Sequence, residues 1–201
     1  RLVLAMNDCG HGLIGAKAAA TLDTDVRGSE RKDDVLCDVW EALESPTNSS
    51  AIRSAIQRST DQIRRALPRT NNNNTHDAEE SLRRALLLAF PDRLARRLGP
   101  KRNEWAMVGG TTAKLSPHSG IRSAEYAVAV QASGGKQPRI ELASTVEPDW
   151  ILELPNAEND LSETVEVRWD KKAERVFAQR VLRWRNLPLE HNDVSPRGLP
   201  E

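Results

Sequence analysis

An α+β fold is what this sequence predicts, an N-terminal helical bundle followed by a small antiparallel β-barrel, and three observations carry the prediction. Apolar residues recur at three- and four-residue steps up to about Gly99, as on one face of a helix. After Lys101 the period falls to two, as in strands with one buried face. The alternating stretches then fold back three times, at Gly109-Gly110, at Gly134-Gly135 and at the polar residues 170–173, a spacing suited to a small closed or partly closed barrel. The boundaries that follow are residues 1–70 for the bundle, 71–77 for an asparagine-rich linker, 78–103 for a helical elbow, 104–187 for the barrel and 188–201 for a tail.

Leu2, Leu4, Ala5, Leu13, Ile14 and Ala16 predict two short helices broken around residues 8–12, where Gly10 supplies a turn. Residues 28–32 are polar and read as a loop. Asp33 or Asp34 is placed to cap a third helix through Leu36, Val39, Trp40 and Leu43, which Ser45 and Pro46 close. Cys37 and Trp40 are expected in the core. Asn48, Ser49 and Ser50 offer a second cap, ahead of an amphipathic helix over residues 51–67 whose apolar face is Ile52, Ala55, Ile56, Ile63 and Leu67. Pro68 ends it, and residues 71–74, all asparagine, have nothing to bury and read as a flexible connector. Asp77 and Glu80 have the spacing of a capping box.

The next helix carries an apolar stripe of Leu82, Ala85, Leu86 and Ala89, widened by Leu87, Leu88 and Phe90. Pro91 stops it and fits the first position of another, so residues 85–99 read as a rigid elbow. In that second helix Leu94 and Leu98 face the core, Arg93, Arg96 and Arg97 face outward, and Gly99 supplies a left-handed stop. Glu104 to Val108 and Thr111 to Leu115 make the first hairpin; Tyr126, Val128 and Val130 pair with Ile140 and Leu142 in the second. A helical turn is expected around Trp150. Val165, Val167 and Trp169 then pair with Val176, Ala178, Leu182 and Trp184 in the third hairpin.

Charge balances overall, 29 basic against 29 acidic groups, but not along the chain. Residues 1–50 hold 5 basic and 9 acidic groups, 51–103 hold 12 and 5, and 104–201 hold 12 and 15. A basic middle in a neutral chain suits a face that meets phosphates, while the plainer reading leaves arginine-rich helices solvated. No apolar run approaches the roughly 20 residues of a membrane span, and no secretory leader pattern opens the sequence. With only Cys9 and Cys37, outside any C-x-x-C pair, the expectation is a soluble protein of the reducing cytoplasm. Because it opens on Arg1 with a helical pattern already under way, the chain is expected to begin inside a larger protein.

Chemistry-bearing motifs are sparse. No Walker-type loop occurs, and Cys9 and His11 lack a second pair of metal ligands. His76, His118 and His191 stand alone in polar segments. Neither a catalytic residue nor a metal site is predicted, and binding or scaffolding is favoured over catalysis.

Residues 86–97, L-L-L-A-F-P-D-R-L-A-R-R, together with R-I-E-L-A at 139–143, V-E-V-R-W-D at 165–170 and V-F-A-Q-R at 176–180, resemble the C-terminal accessory region of bacterial DEAH-box helicases of the HrpB type. The resemblance covers about residues 78–190. A weaker one over residues 1–43 is to the helicase-associated bundle. It implies a ratchet-like helical bundle followed by an OB-fold, packed against two RecA-like motor domains that bind ATP and Mg and move along single-stranded nucleic acid. The motor motifs are absent here, so this chain is expected to hold no cofactor and to be inactive alone. The candidate contacts to phosphates of single-stranded RNA or DNA are Arg93, Arg96 and Arg97 on the elbow, Lys101 and Arg102 at the junction, and Lys114, Arg122 and Arg139 across the barrel. The alternative for Arg93 and Arg97 is to brace bundle against barrel through carboxylates. Trp105, Tyr126 and Trp169 are core positions by the commoner rule, with base stacking as the alternative. A reading from another class is a free-standing α-helical plus OB-like adaptor for RNA or protein, without ATPase.

Overall fold

Two short helices open the chain in the computed structural model, which describes residues 1–24, 34–45, 49–69, 77–100, 102–170 and 174–194. They are α1 (Leu2–Asp8) and α2 (Gly12–Asp23), and the turn between them uses Gly10 at a φ of 79°. They pack closely: a Cβ added to Gly15 would lie 2.5 Å from the Cβ of Met6, so α2 crosses α1 where it has no side chain. Helix α3 is Asp38–Glu44, α4 is Ser50–Ala66 and α5 is Ala78–Ala89. Ser49 caps α4, its hydroxyl accepting from the Ile52 N–H at 3.4 Å. Leu82, Leu86 and Leu87 of α5 are fully buried, with Ala85 nearly so, and form the centre of the larger core.

Helix α3 starts later than expected, at Asp38, because the preceding residues are held to the barrel. Cys37 bridges Ser144, and the Thr145 N–H donates to the Leu36 carbonyl at 2.8 Å. The N-cap of α3 is Cys37 and not Asp34, whose carboxylate accepts from the Arg122 N–H at 2.7 Å. Asp77 sits before α5 without a side-chain cap bond, and Glu80 pairs with Arg84 instead. The expected loop at 28–32, the linker at 71–74, Asp33, Pro46 and Lys101 lie outside the described residues.

The largest departure follows Pro91. The second helix of the elbow is absent: Pro91–Arg93 is one 3-10 turn, and Leu94–Arg97 is strand β1. Leu94 and Ala95 are both fully buried because alternation along a strand covered on two faces sends one to each covered side. Leu94 points to the helices and Ala95 into the barrel.

Strands β2 (Glu104–Met107), β3 (Thr112–Leu115), β4 (Tyr126–Ser133) and β5 (Arg139–Thr145) complete a closed barrel in the order β1-β2-β3-β5-β4. The first two hairpins are where the sequence places them. Pairing of β1 with β4 closes the ring, and β3 runs parallel to β5 with Lys114 beside Arg139. Five alanines and one large ring, Trp105, dominate the interior, with Leu115, Ile121 and Ile140. Five strands close only a small barrel, and small side chains suit its interior.

The third hairpin forms but does not join the barrel. After α6 (Pro148–Leu152) and α7 (Ala157–Asp160), strands β6 (Leu161–Asp170), β7 (Arg175–Trp184) and β8 (Leu187–Val194) make a separate antiparallel sheet. The expected tail thus begins with a strand, whose Leu187 and Leu189 are buried. Trp184 anchors the sheet, its indole N–H donating to the Pro91 carbonyl at 3.4 Å, and the Tyr126 hydroxyl donates to the Leu189 carbonyl at 2.6 Å. Among the described residues no helix is long and apolar enough to cross a membrane.

Cys37 gives the bundle a pH dependence. Burial, with the charge of neighbouring Asp38 acting in the same sense, pushes its thiol up to about 11 from an ordinary 9.0. The unfolded chain therefore releases this proton first, and the folded state loses stability as pH rises from 9 to 11, by about 2 kcal/mol. Urea titrations at pH 8.5 and 10.5 are expected to show that loss, and Cys37→Ala to remove most of its pH dependence. The native protein is expected to react with an alkylating reagent at Cys9 and, only once unfolded, at Cys37.

Candidate nucleic-acid interface

Where β1 leaves the barrel, its last residues, the connection between β3 and β4, and β8 enclose a cleft of about 760 Å³. Arg96, Arg97, Leu98, Gly99 and Pro100 form one side, Arg122, Ser123, Ala124 and Glu125 another, and His191 closes it. Three of the eight predicted cations, Arg96, Arg97 and Arg122, therefore share one space. They reach it because β1 ends here, and its seam with β4, Arg96 beside Tyr126 and the Arg97 N–H donating to the Glu125 carbonyl, brings the segment before Tyr126 alongside.

Arg96 is braced. Its guanidinium pairs with Glu125 at 2.9 Å, donates to the Pro188 carbonyl at 3.1 Å, and lies 5.7 Å from the centre of the Tyr126 ring. Arg97 stands over the mouth of the barrel, 5.0 Å from the centre of the buried Trp105 ring. One of its terminal nitrogens donates to the Arg122 carbonyl, and its Nε is buried with no hydrogen-bond partner among the described residues. Burial lowers the affinity of this guanidinium for its proton, and the charge of Arg122 lowers it further, against the opposing pull of Asp34. Asp34 completes the electrostatics: burial pushes its carboxyl up, but hydrogen bonds from Ser123 and from the Arg122 and Ser123 backbone, with the Arg122 charge, outweigh that and hold it below the usual carboxylate range. Arg97 and Arg122 are thus two like charges held together at the rim, with Asp34 the carboxylate that acts on both.

The remaining predicted cations do not line this cleft. Arg93, in the 3-10 turn, donates to the Val130 carbonyl at 2.9 Å and lies 5.0 Å from the Phe90 ring centre, so it braces turn against β4 through a carbonyl and not a carboxylate. Exposed Lys114 and Arg139 stand side by side on the parallel pair β3–β5. Arg102 is exposed in the β1–β2 connection, and Lys101 lies outside the described residues. Of the three aromatic candidates, Trp105 and Tyr126 are buried and Trp169 is 59% exposed. The sequence reading missed Glu125 and His191, which line the cleft, and Asp34, which holds the Arg122 N–H beside it; each comes from a separate segment, His191 from the sheet outside the barrel.

No protein-family model matches the chain, and no curated protein matches it. Solved structures do. The fold is similar to part of the crystal structure of the E. coli DExH-box NTPase HrpB, with a TM-score of 0.63 and 20% identity over 96% of this chain. A crystal structure of the Escherichia coli DEAH/RHA helicase HrpB gives a TM-score of 0.64 and 19% identity over 94% of it. The chain spans only 22% of the length of either structure, and at such identities the likeness is one of fold.

Proposed function

We propose that this chain is an accessory segment of an ATP-dependent RNA helicase, whose barrel acts as an OB-fold and whose rim cleft guides a single strand to or from RecA-like motor domains. ATP and Mg belong to those motors and not to this chain. The observation that carries the reading is the pair Arg97 and Arg122, like charges facing one cleft beside a barrel. A phosphate between them would add to the Asp34 carboxylate that already acts on both. Strand order β1-β2-β3-β5-β4 with a parallel β3–β5 pair supports the OB reading. In OB-folds the β1–β2 and β4–β5 loops and the neighbouring strand face bind oligonucleotides. Here Leu98 to Pro100 of the first loop line the cleft, Arg102 follows in that loop, and Arg139 opens the strand after the second. Backbone contacts of this kind give affinity with little sequence preference.

The test is binding of a uridine oligonucleotide followed by fluorescence anisotropy across a salt series. Each neutralised single-strand phosphate contributes about 0.7 to the slope of log affinity against log salt. Three guanidinium groups predict a slope of about −2, and Arg97→Gln with Arg122→Gln predicts a fall in its magnitude of about 1.4. An unchanged slope in that double variant would overturn the reading.

A further inference from the structure

We propose that β6 is a docking edge for a second copy of this chain, the two β6 strands pairing antiparallel about Val167. This proposal is independent of the nucleic-acid reading, since β6 does not line the rim cleft.

The sheet order is β6-β7-β8, so β6 pairs with β7 on one side and is an edge on the other; no described element pairs with that outer side. Large apolar side chains are concentrated here. Val165, Val167 and Trp169 are 44%, 55% and 59% exposed, and Val176, opposite Trp169 on β7, is 45% exposed. Alternation puts all four on one face of the hairpin. A long, exposed, apolar edge is normally blunted, most often by charges. The charges on β6 are Glu163, Glu166, Arg168 and Asp170, and their order decides what can pair with it.

When a strand pairs antiparallel with its own copy, the two-fold axis passes through one residue, which then meets itself. Centring on Glu166 or on Arg168 sets like charges directly opposite each other. Centring on Val165 leaves Glu163 facing Val167 without any ion pair. Centring on Val167 places Glu166 opposite the partner's Arg168, and the reverse, with Val165 opposite the partner's Trp169 and Val167 opposite itself. Opposite charges and aromatic–β-branched neighbours are both favourable cross-strand pairs. Glu166 and Arg168 already lie together, 2.6 Å apart, and Glu166 also holds Arg183, so the carboxylate is oriented before a partner arrives. The same charge order that matches its own copy opposes foreign edges, which makes the edge selective. Main-chain hydrogen bonds supply the affinity, as in other strand additions, and the apolar stripe runs across the four central strands of a six-stranded sheet.

Sedimentation equilibrium of the 201-residue chain, from low micromolar concentration upward, tests the proposal, and cysteine crosslinking fixes the register. The expected result is a monomer–dimer equilibrium that Arg168→Glu weakens at least tenfold, with a melting temperature unchanged at concentrations where both proteins are monomeric. In a Cys9→Ser background, Val167→Cys is expected to crosslink to itself under mild oxidation. Val165→Cys and Trp169→Cys are expected to crosslink only when mixed with each other. These single substitutions on an exposed face leave the fold intact, so they report even if Arg168→Glu does not fold. A monomer at every concentration, a dimer indifferent to Arg168→Glu, or self-crosslinking of Val165→Cys as fast as that of Val167→Cys would each overturn the proposal.

Discussion

Asp38→Ala is expected to destabilise the protein by about 4 kcal/mol, among the largest losses available to a single polar side chain. Asp38 is 1% exposed, at the first position of α3. One carboxylate oxygen accepts from the Ser119 hydroxyl at 2.6 Å and from the Ala143 N–H at 2.9 Å, and the other accepts from the Gly120 N–H at 2.8 Å. It therefore satisfies the loop between β3 and β4 and the middle of β5 at once, and fixes α3 against both. Truncation leaves three buried donors without an acceptor, each costing roughly 1–3 kcal/mol. Asp38→Asn keeps the shape but turns one oxygen into a donor facing other donors, so about half the loss is expected. Ser119→Ala, which removes one donor to Asp38 and the long contact that its hydroxyl accepts from the Ile121 N–H at 3.4 Å, is expected to cost about 1–2 kcal/mol. Urea unfolding of the three variants checks the ranking, and equal losses for Ala and Ser119→Ala would mean that Asp38 is not the shared acceptor.

Trp184→Ala is expected to cost about 3–5 kcal/mol, the range for deleting a large buried ring. Trp184 is 1% exposed, pairs with Leu161 across the sheet, and bonds the Pro91 carbonyl. It packs where the 3-10 turn, α7 and the new sheet meet, so its loss frees the sheet more than it harms the barrel. Limited proteolysis is expected to cut first within β6–β8 in the variant, while Trp184→Phe, which keeps most of the apolar bulk and loses one hydrogen bond, is expected to cost about 1–2 kcal/mol. Because the Pro188 carbonyl of β8 accepts from Arg96 and His191 of β8 lines the cleft, the alanine variant is also expected to loosen that wall of the candidate interface.

The helices before Pro91 and the first two hairpins were legible because their signals are local. Apolar spacing in α5 and glycine pairs between alternating residues need no knowledge of distant chain. Strand β1 was not legible: L-A-R-R is too short to show alternation, and Leu94 and Ala95 are buried on opposite faces by different layers. Strand β8 hid behind Pro188 and a run of polar residues, because only its first half is covered. Asp38 reads locally as a helix-start acid, and its real partners lie at residues 119, 120 and 143. Arg96, Arg97 and Arg122 could be found from charge and helical or turn context, but their meeting depends on the β1–β4 seam.

That seam has a kinetic consequence. β1 is made before every strand it must join on its far side, and closure waits until β4 has emerged and turned back; the parallel β3–β5 contact waits longer still. Non-local pairings of this sort slow the search for the native state. Through that interval β1 would present an open edge, and Arg96 and Arg97 sit on it as gatekeepers against misassociation. Replacing both guanidinium groups is therefore expected to lower the yield of refolding before it alters the finished molecule.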